Sequence, residues 1–159
     1  MLSTTPPGLN KLVKSVMKHN EDKELLLNAK KTKVMSTDKS STAQVHIQGE
    51  QLENVKNFVY LGAQIESNGK SAPDIRRRLA LACNKLNRMM TIWKSEDVRL
   101  KMKILTTCIF PTALYGCETW SLSKESEKRI TAFEMKCYRK ILHIPWTAKA
   151  MKTSEKHWG

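Results

Sequence analysis

The sequence predicts an α+β chain: one N-terminal helix and short β-hairpin strands, followed by a basic three-helix bundle. The period of the apolar residues supports this, running at helical spacing near the start, at strand spacing in the middle, and at helical spacing again after residue 70. The charge follows the same division. Of a net +13 at pH 7, residues 1–72 hold ten Lys and Arg against seven Asp and Glu, and residues 73–159 hold eighteen against eight. Three segments result: 1–70, mixed helix and strand; 71–146, helical; and 147–159, a basic tail of weak pattern, expected to be disordered.

Ser3-Thr4-Thr5-Pro6-Pro7 supplies start signals for a helix over 8–24, with Leu9, Leu12, Val13, Val16 and Met17 on one stripe. A turn at Asn28–Thr32 leads into a short strand near Lys33–Met35. Residues 36–42 read as a polar loop. Val45 and Ile47 alternate with polar neighbours in a strand closed by Gly49, and Glu50–Asn54 reads as a connector. Asn57–Gly62 is an aromatic and β-branched strand that Gln64–Glu66 can continue, and Ser67–Lys70 is a turn. From Ser71 the pattern is helical. Ile75, Leu79, Ala82, Leu86, Met89, Met90 and Trp93 mark one helix; Val98, Met102, Leu105, Ile109 and Leu114 mark a second, which Pro111 should kink or break. Ile130, Phe133, Met135, Cys137, Ile141 and Leu142 mark a third, stopped by Pro145.

Several function classes are excluded. No apolar run reaches the length of a membrane span, and the N-terminus lacks the basic-then-apolar order of a secretory signal, so an intracellular, nuclear or cytoplasmic, non-secreted protein without membrane partners is expected. Cys83, Cys108, Cys117 and Cys137 contain no C-x-x-C pair, and His19, His46, His143 and His157 stand at no zinc-like interval from them; buried reduced thiols are the plainer reading. No phosphate-binding glycine motif, H-E-x-x-H or paired carboxylate occurs, so no catalytic or metal-binding residue is assigned.

The basic residues point elsewhere. Arg76, Arg77 and Arg78 open the first C-terminal helix, and Lys85 and Arg88 extend it. They read either as a solvated face or as contacts to nucleic-acid phosphates, and the +10 of this half favours phosphates. Lys101, Lys103, Lys128, Arg129, Lys136, Arg139 and Lys140 could add to that surface. Phe58 and Tyr60 share a strand face, where core packing competes with base stacking.

These residues also carry a resemblance. Leu27 to Met35 resembles the L-N-x-x-K-T-K-x-M segment of reverse transcriptases from non-LTR (LINE-like) retrotransposons, and Phe58–Gly62 resembles the F-x-Y-L-G segment that follows it. Gly69–Arg78, Ile92-Trp93, Pro111-x-x-Leu114-Tyr115-Gly116-x-Glu118-x-Trp120 and Phe133–Leu142 resemble the next stretches in order. Leu2–Thr5 is similar to the strand after the Y-A-D-D turn, so the match covers roughly residues 2–146. The resemblance implies a palm end with a primer-grip-like hairpin over 1–70 and a thumb over 71–146. It places Lys31 near the incoming triphosphate, Phe58, Tyr60 and Gly62 on the primer strand, and Arg76, Arg77, Arg78, Lys85 and Arg88 along a duplex. The Y-A-D-D aspartates, the earlier metal-binding aspartate and the fingers are not in this sequence. The expectation is therefore an RNA-directed DNA polymerase fragment, non-catalytic alone, with no cofactor of its own. Mg2+ belongs to the full-length enzyme, whose two-metal chemistry those carboxylates serve. The expected partner is RNA or RNA–DNA duplex, bound weakly and with steep salt dependence. A helical protein-interaction module and a decayed reading frame without function are the alternatives. Without the rest of the palm, the stripe of Leu9, Leu12, Val13 and Val16 is expected to lack a partner.

Overall fold

Pro6 and Pro7 stand in the first turn of helix α1 (Pro6–Glu21), where a missing N–H costs no helical hydrogen bond. Thr5 caps it, its Oγ1 accepting from Gly8 N–H at 3.3 Å. The computed structural model describes residues 1–21, 23–38, 44–145 and 147; the rest of the basic tail lies outside the described residues. The chain is α+β and divides into two compact units, Met1–Asp74 and Ile75–Gly159.

In the first unit, short strands follow α1. Strand β1 (Lys33–Val34) pairs in parallel with β4 (Glu53–Asn54). Strands β2 (His46–Ile47) and β3 (Glu50–Gln51) pair antiparallel around Gln48 and Gly49, both at positive φ, as a two-residue hairpin turn requires. The expected connector over 50–54 is therefore two strands; Leu52 between them is buried, and its N–H reaches Val45 O at 2.8 Å. The stripe on α1 finds a partner in these strands. Val13 packs with Val34, Val45, Ile47 and Leu52, and Leu9 and Met17 lie against the cluster. Leu12 remains exposed. The unit forms a small core of its own, contrary to the expectation of an unpartnered helix. A separate hairpin, β5 (Asn57–Tyr60) with β6 (Ala63–Glu66), closes through Leu61 and Gly62.

The second unit is helical. Helix α2 (Ala72–Arg88) begins just before the boundary and is followed by the short α3 (Met90–Trp93). Trp93 Nε1 donates to Leu86 O at 2.6 Å, using one of the carbonyls that a helix C-terminus leaves open. Asp97 caps α4 (Val98–Ile104), accepting from Arg99 and Leu100 N–H. A π-helical turn (Leu105–Ile109) comes next, then α5 (Phe110–Ala113). Pro111 is thus accommodated by a widened turn rather than a break: its ring would meet the carbonyl four residues back in a regular helix. The buried face differs from the expected stripe. Positions 101, 105, 109 and 113 point inward, whereas Val98, Met102 and Leu114 from the expected stripe are exposed. After a 3-10 turn (Cys117–Thr119), Ser123 caps α6 (Lys124–Ile141) through Ser126 N–H. Ile75, Leu79, Ala82, Leu86, Trp93, Leu105, Ile109, Phe133, Cys137 and Ile141 join in one core.

Candidate nucleic-acid interface

Helix α2 distributes its cations over three faces, because successive residues lie 100° apart. Arg76 shares a face with Leu79 and Cys83. That face meets Arg129, Ala132, Phe133 and Lys136 of α6 across a groove of about 460 Å³. Three cations converge there, and no carboxylate is among the lining residues. Glu125 lies one turn back on α6 and pairs with Arg129 (2.8 Å); the Arg129 guanidinium, mainly through that hydrogen bond, holds the Glu125 carboxyl below its ordinary range. Arg77, half-buried, and Arg88, exposed, share the second face.

The third face is spent on packing. Arg78 is 8% exposed, its guanidinium 4.2 Å from the centre of the Tyr115 ring. Lys85 Nζ donates to Cys108 O (3.3 Å) and Thr112 Oγ1 (3.2 Å), and Thr112 Oγ1 itself donates to Cys108 O (2.8 Å). This cluster satisfies a carbonyl of the π-helical turn. Of the residues expected along a duplex, Arg78 is buried under Tyr115 and Lys85 is hydrogen-bonded to the segment around Pro111. Lys101 departs in the same way. It is 2% exposed, and its Nζ donates to Ile141 O and lies 3.2 Å from His143 Nε2, closing the C-terminus of α6.

The β5–β6 hairpin places Phe58, Tyr60, Ala63 and Ile65 on one face, since Phe58 pairs with Ile65 and Tyr60 with Ala63. Phe58 is 37% and Tyr60 58% exposed, so core packing does not account for this face. Leu61, at the tip, has φ 47°, left-handed for a side chain that rarely adopts it, and is exposed beside Gly62 (φ 84°). Gln64 N–H anchors the hairpin to Asp74 Oδ1 at 2.9 Å. Lys31 is exposed in a turn where its N–H donates to both Asn28 O and Oδ1. It belongs to the first unit and the arginines to the second, as does the hairpin to the first.

No three His, Cys, Asp or Glu side chains converge into a metal-binding group among the described residues. Asp74 and Asp97 are committed to backbone N–H groups, so they do not fit a two-metal site. Burial raises the Cys137 thiol to about 12, a protonated packing group rather than a nucleophile or ligand. No described helix is long and apolar enough to cross a membrane.

The fold and site define an α+β protein with a strongly basic helical unit and an exposed aromatic hairpin. The chain is similar to a transposon-derived protein of Caenorhabditis elegans, 23% identical over 152 residues, which is 92% of this chain and 54% of the relative. The chain thus spans about half the length of the curated relative it matches, and the likeness is consistent with a transposon-related origin. No protein-family model and no solved structure matches it.

Proposed function

We propose that this chain is a nucleic-acid-binding portion of a retroelement protein, similar to the palm end and thumb of a non-LTR retrotransposon reverse transcriptase, and that it binds RNA or RNA–DNA duplex. The groove where Arg76, Arg129 and Lys136 converge carries this reading. From Arg129 to Lys140, α6 runs about 16 Å, which matches roughly four to five phosphates of one strand. The exposed Phe58–Tyr60 face gives bases or sugars a surface to stack on. By resemblance this hairpin holds a primer strand and Lys31 lies near a triphosphate. The transposon-derived relative supports the origin.

The test is fluorescence anisotropy with a labelled RNA–DNA hybrid across a salt series. The logarithm of the association constant should fall linearly with the logarithm of salt, with a slope near −4 for roughly four phosphates neutralised. Arg76→Ala should flatten that slope by about 1. Affinity independent of salt, or an unchanged slope in Arg76→Ala, sinks the reading.

A further inference from the structure

A second groove, about 760 Å³, lies between α3 and α6 and shares Ala132 and Lys136 with the first. Met90, Trp93, Ala132, Met135, Ile144 and Pro145 give it an apolar lining. Lys94, Lys136, Lys140 and His143 stand around it, and no carboxylate is among the lining residues. Lys140 Nζ reaches Met90 Sδ at 3.5 Å from α6 to α3, and Arg139 Nη1 donates to Pro145 O at 2.9 Å beyond the end of α6.

We infer that this groove docks an acidic amphipathic helix of a partner protein. The inference does not rest on the nucleic-acid reading. Unstacked bases need an exposed aromatic face. Among the described lining residues the indole is that of Trp93, which is 2% exposed and so offers neither a stacking platform nor the aromatic slot that a proline-rich peptide occupies. No strand edge lies here to receive an extended peptide. Helix-in-groove binding remains: apolar residues on one helix face meet a methionine-rich lining that adapts its shape, and flanking Asp and Glu meet the cationic rim.

The experiment uses the full chain and a fluorescein-labelled synthetic helical peptide, with Leu at i, i+3, i+4 and i+7 and Glu on both flanks. A control peptide of the same composition disperses the leucines around the helix. The amphipathic peptide should bind at least about tenfold more tightly than the control. Met90→Glu and, separately, Lys140→Glu should weaken it about tenfold or more, with the helical circular dichroism retained, because Met90 is half-exposed. Arg76→Ala, outside this groove, should leave peptide affinity unchanged. Equal binding of both peptides, or indifference to Met90→Glu, would show charge attraction alone and overturn the inference. Absence of binding to the full chain would overturn it too, including the case in which the chain's own residues 148–159 occupy the groove. So would an RNA–DNA hybrid that Met90→Glu weakens as strongly as it weakens the peptide, which would make this a nucleic-acid site.

Discussion

Arg76 and Arg78 stand two residues apart and do different work. Arg76 is exposed on a groove, while Arg78 lies under Tyr115. Tyr115→Leu should therefore lower the unfolding free energy by about 0.5–2 kcal/mol in urea titrations, the range of a partly desolvated cation–π contact, and leave duplex affinity in place. Arg76→Ala should do the reverse, with stability within about 0.5 kcal/mol of the parent. Cys137 gives a pH signature. Its folded thiol is raised from 9.0 to about 12, by burial first and the neighbouring Cys83 next. The folded state holds the proton more tightly, so this contribution is fully present below pH 9, falls as pH rises, and is lost by about pH 12. Thermal melts from pH 8 upward should show that decline, and Cys137→Ala should flatten it.

At the scale of elements, caps and turns decide how well each piece holds. Asp97 accepts two N–H bonds at the start of α4, and Asp97→Ala should cost about 1 kcal/mol, read as a lower midpoint in urea. Leu61 occupies a left-handed position in the β5–β6 turn, where Asn is better tolerated. Leu61→Asn should protect the hairpin amides in hydrogen exchange, the opposite of the result if its side chain were packed at the tip. Lys101, buried on α4 before the π-helical turn, closes the end of α6.

At the scale of the whole molecule, each unit has its own apolar cluster, and the excess of charge belongs to the helical one. Limited proteolysis should accordingly release a protected piece beginning close to residue 75, since each unit carries its own core. A single resistant product spanning both units would contradict this. The α+β class was readable from the change of apolar period near residue 70, as was the first helix from the signals at Ser3–Pro7, to within a few residues of its observed Pro6–Glu21, because caps and amphipathic stripes are local properties. The Glu50–Asn54 strands were not readable, since two-residue strands carry no period of their own; their pairing comes from Leu52 joining Val13 and Ile47 in the core.

Sequence by itself determined the fold class, the positions of the main helices and the basic character of the C-terminal half. Only the tertiary structure decided which cations remain available. Arg76, Arg129 and Lys136 were brought to one groove from two helices, whereas Arg78, Lys85 and Lys101 were consumed by Tyr115, the π-helical turn and the end of α6. The physical reason is that charge is additive along a chain, but exposure depends on which faces neighbouring helices cover.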